Sequence, residues 1–224
     1  DDWHGWDFAN KDNDPIDDHS HGTHVSGTIG GTGNNGKGVV GMNWKVNILP
    51  IKFLTGSGSC SLADAVLSID YATKMKVNLM SNSWGGGGFS KTMEDAIAAA
   101  DKAGILFVAA AGNSKNDNDQ KPHYPSSYGV ANVLAVAAVD HNAAMASFSS
   151  FGVTSVDIGA PGVDILSTIT GNQYKKYSGT SMATPHTAGA AALVWAAYPN
   201  LSHYDVKARL MGTATPNTSL AGKT

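Results

Sequence analysis

Short apolar runs alternate with alanine-rich stretches of helical spacing along this chain. Val46–Phe53 reads as a buried strand, followed by the turn Thr55-Gly56-Ser57-Gly58. Between Leu62 and Lys74, apolar residues recur at Leu62, Ala65, Val66, Ile69 and Ala72, the spacing of one helix face. Val77–Met80 predicts a second strand, and Met93–Ala103 a second helix ended by Gly104 just past its last turn. Ile105–Ala111 is apolar throughout, as a strand must be when both faces of its sheet are covered. Val133–Val139 predicts a fourth strand, and Thr184–Tyr198 a long helix stopped by Pro199. This alternation predicts an α/β fold: a three-layer, mostly parallel sheet with helices on both faces. Such sheets bind ligands at the carboxyl ends of their strands. The chemistry should therefore lie in the loops after the second and third strands and before the last long helix.

Composition narrows the classes. The 224 residues suit one domain, 1–224, with a substantial buried core. The net charge is −3 and the one arginine is Arg209, which argues against a nucleic-acid partner. Apolar runs stop far short of a membrane span. A single cysteine, Cys60, excludes an intrachain disulfide framework and a CxxC metal site, and a buried or half-buried inert thiol is its expected role. The chain begins Asp1-Asp2-Trp3-His4, without the basic and apolar regions of a leader peptide.

Two segments far apart carry the candidate chemistry: His21-Gly-Thr-His-Val-Ser-Gly-Thr28 and Gly179-Thr-Ser-Met-Ala-Thr-Pro-His186. A serine hydroxyl is a weak nucleophile at neutral pH and needs a base to take its proton. Histidine suits that role because it titrates near neutrality. An amide such as that of Asn113, after the third strand, can donate to a developing oxyanion without competing for the proton. Each residue alone also has a plain structural reading: a capping histidine, a helix N-cap at Ser181, a turn residue at Asn113. His24 and His186 are expected to pack or hydrogen-bond beside the two boxes, and the remaining histidines show no metal-ligand spacing.

These motifs, in this order, resemble the subtilisin-family serine proteases (subtilases), and the resemblance spans nearly the whole chain. It implies a subtilisin-like fold, with His21 as general base, Ser181 as nucleophile forming the acyl-enzyme, and Asn113 in the oxyanion hole. Ser83, Trp84 and Gly85 resemble the segment lining the pocket for the residue before the scissile bond. Ala111 and Gly112 lie in a stretch that resembles the family's oxyanion-hole segment, and Gly56, Ser57 and Gly58 resemble an edge segment that pairs with substrate as an added strand. A glycine-lined pocket beside Trp84 suggests acceptance of large apolar side chains. The resemblance further implies an extended peptide or protein substrate, a pro-segment in the parent protein, a monomer, and secretion.

The chain departs from the family in one respect. The family's aspartate closes an early core strand in an Asp-Thr-Gly or Asp-Ser-Gly pattern, and neither tripeptide occurs here. None of Asp1, Asp2, Asp7, Asp12, Asp14, Asp17 and Asp18 follows an apolar strand, so none is read as that aspartate. The expectation is a catalytic domain lacking the N-terminal core strand and a C-terminal closing segment. The alternative function is an inactive or peptide-binding fragment. Thr32–Val39 resembles a calcium loop to which Asn34 or Asn35 would contribute, and the acidic Asp12–Asp18 stretch is a second calcium candidate, or else a solvated loop.

Overall fold

A computed structural model describes residues 4–224. Its centre is a four-stranded parallel sheet in sequence order: β3 (Leu79–Asn82), β4 (Leu106–Ala110), β5 (Val133–Val139) and β6 (Ile158–Pro161). A second parallel pair, β1 (Trp6–Asp7) with β2 (Ile51–Lys52), stands apart from it. No ladder joins β2 to β3.

The alternation of side chains along the buried strands decides the layering. Phe107, Ala109 and Val133 face one side, against Ala65, Ile69 and Ala72 of α2 (Leu62–Lys74) and Met93, Ala96, Ile97 and Ala100 of α3 (Lys91–Lys102). Leu106, Val108, Leu134 and Val136 face the other, against Ala183, Ala188 and Ala191 of α4 (Thr180–Ala197) and Val206 of α5 (His203–Gly212). Helix α4 packs on all four strands of the sheet and on α1 (His21–Gly30). Its small residues permit that close approach. A Cβ on Gly189 would fall 2.8 Å from Met42 Cγ. The three-layer α/β architecture expected from the sequence is present.

The helices α2 and α3 and the strands β4 and β5 lie where the periodicity puts them, and Gly104 follows α3 at φ 81°. Two differences have physical causes. The run Val46–Phe53 forms a strand only at Ile51–Lys52, because its partner β1 is two residues long. Val46 and Ile48 before it are exposed. Helix α4 begins at Thr180 and so contains Ser181, because Pro185 is accommodated inside the helix. Cys60 is exposed, in the loop that precedes the α2 cap Ser61, and is not buried or half-buried. The hairpin of β7 (Ile165–Ile169) and β8 (Gln173–Tyr177) went unread, although its Gly171-Asn172 turn, with φ 76° and 55°, carries a hairpin signal.

The small β1–β2 unit is held by charge. Asp7, fully buried, accepts from Lys52 Nζ at 2.8 Å and from both nitrogens of Asn10 at 2.9 Å. Burial pulls its carboxyl upward, but the Lys52 and Asn10 hydrogen bonds outweigh that and hold it below the usual carboxylate range. Asp7→Ala is expected to cost about 3 kcal/mol, the low end for removing one partner of a buried ion pair, since Lys52 keeps Asp18 at 3.3 Å. The contribution is complete above the carboxyl's ordinary value and is lost as pH falls through the lower folded value. Urea unfolding of both proteins at pH 6 and pH 3 checks this: the gap should narrow at pH 3, and no gap at pH 6 would show the pair to be neutral.

Candidate active site

The histidine box opens α1, and its start is fixed by a carboxylate, not by the residue at the cap position. Ser20 sits at φ 81° and makes no side-chain cap. Asp17 Oδ1 instead accepts from the backbone N–H groups of His19 (2.8 Å) and Ser20 (2.9 Å), while Oδ2 accepts from Thr23 N–H (2.7 Å) and Thr23 Oγ1 (2.6 Å). A carboxylate there also complements the helix dipole. Burial raises the Asp17 carboxyl, but the hydrogen bonds from Thr23, His19 and Ser20 hold it below the usual range. The half-buried His21 ring is pushed below the ordinary imidazole value by burial. The neighbouring His19 adds to the shift and Asp17 opposes it. No side chain among the described residues hydrogen-bonds this ring. Asp1 and Asp2 lie outside the described residues.

The serine box opens α4, which packs against α1, the helix that the histidine box opens. Three segments are laced together there. Asn113 Oδ1 accepts from Thr180 N–H at 2.8 Å and from Thr180 Oγ1 at 3.0 Å. Thr180 Oγ1 accepts in turn from Gly112 N–H at 3.1 Å. With its oxygen so engaged, the exposed Asn113 amide has no acceptor for its Nδ2 donors among the described residues. Beneath it, buried Asn118 donates from Nδ2 to Ala111 O at 2.8 Å and braces the loop.

Ser181 is tied to the end of β3. Pro185 lacks the N–H that would bond the carbonyl of Ser181 four residues earlier. Ser83 Oγ supplies the missing donor at 2.8 Å, and Ser181 Oγ donates back to Ser83 O at 3.1 Å. Thus the nucleophile candidate, the amide of Asn113 and the Ser83 segment meet at the carboxyl ends of β3 and β4, where the sheet rule places a site.

The remaining predicted residues distribute as follows. Gly85 lies in the exposed loop just beyond Ser83, and Ala111 and Gly112 are buried at the end of β4. Trp84 turns into the core, edge-on to Phe53 at 5.1 Å, with Nε1 donating to Asn82 Oδ1 at 3.1 Å. Gly56, Ser57 and Gly58 form an exposed turn closed by Thr55 N–H to Ser59 O at 2.8 Å, with no strand ladder of their own. A Cβ on Gly56 would come 3.2 Å from the Asp18 carboxyl, so this turn borders the start of α1. His24 is buried, stacks on Tyr177 at 4.5 Å, and places Nε2 3.0 Å from the Ile165 and Lys175 carbonyls. His186 Nδ1 lies 2.8 Å from Met182 O. Both are structural, as expected.

The calcium candidates do not fit a calcium ion well. Asn34 and Asn35 are exposed in a loop that offers no carboxylate, and Asn35 Oδ1 already accepts from Lys37 N–H at 3.0 Å. In the acidic stretch, Asp12 and Asp14 accept from the backbone N–H groups of Asp14 and Ile16. Among the described residues no cluster of three or more His, Cys, Asp or Glu side chains converges on one point.

Ser181 and Asn113 thus meet at one junction, and His21 stands at the start of α1, the helix packed on α4. Residues 1–223 match the model of the subtilase family, and the chain belongs to that family. It is 43% identical to a thermostable alkaline protease of Halalkalibacterium halodurans over 94% of this chain and 56% of that protein. It is 42% identical to subtilisin DY of Bacillus licheniformis over 94% of this chain and 76% of that protein. A solved cold-adapted subtilisin-like serine proteinase superposes with TM-score 0.88 at 34% identity, covering 98% of this chain and 78% of the other.

Sequence reasoning missed Thr180, the Ser83 hydroxyl and Asp17 as the residues that set the site. Only Pro185 carried a local signal, as a helix-interior proline whose freed carbonyl needs a donor from elsewhere. Ser83→Ala is expected to cost about 1–3 kcal/mol by leaving the Ser181 carbonyl unsatisfied. In a Pro185→Ala background the same change should cost less, because residue 185 then offers an N–H. Chemical denaturation of the four proteins measures this coupling, and strictly additive losses would disprove it.

Proposed function

We propose that the chain is the catalytic part of a serine endopeptidase that cleaves peptide bonds through an acyl-enzyme on Ser181. His21 takes the serine proton as Oγ attacks the carbonyl carbon and returns it to the leaving amine. Between these two proton transfers, Asn113 Nδ2 donates to the oxyanion of the tetrahedral intermediate, which collapses to the acyl-enzyme as the amine leaves. The observation that carries the reading is the double anchoring of Asn113 Oδ1 by Thr180, next to Ser181, which fixes the amide and leaves its Nδ2 donors for an incoming oxygen. The peptidase names of the similar proteins support the same substrate class. Secretion, a pro-segment and a monomeric state belong to this reading. No helix among the described residues is long and apolar enough to cross a membrane.

His21 lacks an orienting carboxylate among the described residues, since the Asp17 oxygens are occupied at the helix start. In a subtilisin, the source of this magnitude, loss of the triad aspartate alone lowers turnover about 3 × 10⁴-fold, yet catalysis over water remains. Covalent labelling is therefore the sensitive readout for this chain. An alkyl fluorophosphonate should modify Ser181, and Ser181→Ala should abolish the label. Absence of label on the folded protein would favour the peptide-binding reading.

The labelling rate should rise with pH as His21 loses its proton, with a midpoint below the ordinary imidazole value of about 6.5. A lowered pKa means the base is free at more acidic pH, so a midpoint above 7 would contradict the burial effect. Asn113→Ala is expected to reduce turnover of a chromogenic peptide by about 10²–10³, as for such a donor in a subtilisin, with KM little changed. A loss confined to KM would show that Asn113 acts in ground-state binding only.

A further inference from the structure

One imidazole outside the two boxes occupies the gap between the two walls of the site. His123 is half-buried, and its ring lies between Gly85, beyond β3, and Gly112, at the end of β4. A Cβ on Gly85 would collide with Cε1 of this ring and stand 2.7 Å from Nε2. A Cβ on Gly112 would stand 2.9 Å from Cδ2 and 3.1 Å from Nε2. Both positions are glycine in the one place where the histidine ring leaves no room for a side chain.

The ring is held in this gap. Nδ1 lies 3.3 Å from Ser126 Oγ, Ser126 Oγ donates to His123 O at 2.8 Å, and His123 N–H donates to Ser127 Oγ at 3.0 Å. The Ala110 carbonyl is a further partner of the ring. The next residue is pinned to the glycine run, with Gly86 N–H donating to Tyr124 O at 2.9 Å.

Geometry links this ring to substrate. The Ser83–Gly86 and Ala111–Asn113 segments both reach the first turn of α4, at Ser181 and Thr180, so the gap between them opens beside the hydroxyl, within reach of the side chain next to an attacked carbonyl. His123 stands between those same segments. We propose that His123 is the floor of the pocket receiving the side chain on the acyl side of the scissile bond, and that it restricts this position to small residues such as alanine. The proposal rests on the reading of Ser181 and Asn113 above and adds to it the substrate class. It replaces the expectation of large apolar side chains. That expectation took Trp84 as a pocket wall, whereas Trp84 packs on Phe53.

The test uses two peptidyl diphenyl phosphonates that differ only in the acyl-side residue, alanine or phenylalanine, with an alkyl fluorophosphonate as reference. In each phosphonate reaction Ser181 Oγ bonds to phosphorus, phenoxide leaves, and the serine proton passes to His21. The wild-type chain should label at least about tenfold faster with the alanine probe, the scale on which a pocket discriminates by size. His123→Gly should raise the phenylalanine-to-alanine ratio by about ten- to a hundredfold. His123→Leu, which keeps the bulk, should retain the wild-type preference, each phosphonate rate being taken relative to the fluorophosphonate rate of the same protein. Equal or faster wild-type labelling by the phenylalanine probe overturns the proposal without reference to any variant, as does an unchanged ratio in folded His123→Gly. Both of those outcomes leave the Ser181 reading standing. Failure of all three probes on the wild-type chain overturns that reading and the pocket with it.

Discussion

The site depends on how the first turn of α4 is fastened. Thr180 is fully buried and joins the oxyanion loop through Asn113 Oδ1 and Gly112 N–H, while Ser181 exchanges hydrogen bonds with Ser83. Three segments, one after β3, one after β4 and one at the start of α4, are thereby set against one another within a few ångströms. Each bond satisfies a backbone or amide group that would otherwise be costly to leave unpaired away from water. The geometry of the candidate site and its polar satisfaction are therefore met by the same contacts.

Proline 185 shows why this fastening requires a break in helical regularity. An unbroken α4 would use the Ser181 carbonyl internally and leave the Ser83 hydroxyl without its acceptor. The cost of the missing helix bond is offset by burial, because α4 packs its alanine and glycine positions on the sheet and on α1. A helix this thoroughly buried depends little on any one of its own hydrogen bonds.

Most of the central fold was legible from the sequence for a related reason. Strands β4 and β5 are buried at every position, and α2 and α3 carry clear periodicity, so local pattern and tertiary environment agree. Val46–Phe53 was misread because its apolar pattern is that of a strand, while its pairing depends on a partner that local pattern does not reveal. Within the site, His21, Ser181 and Asn113 stood out by residue type and motif. Asp17, Thr180 and His123 did not, because their roles arise from neighbours 6 to 67 residues away or from space left by glycines. Cys60 was expected inside from the usual habit of its residue type, but its loop lies on the outer edge of the α2 start.

The separation of β1–β2 from the four-stranded sheet bears on how the molecule opens. Two residues of ladder, one buried ion pair and exposed flanking apolar residues give that corner few cooperative contacts with β4 and β5. Amide hydrogens of Trp6, Asp7 and their partners should thus exchange through local opening, while those of Phe107 to Ala110 and Val133 to Val139 exchange only with global unfolding. The start of α1, which carries His21, lies between these two regimes. Through its packing on α4 and β7, α1 ties the histidine box to the cooperative part of the molecule as well.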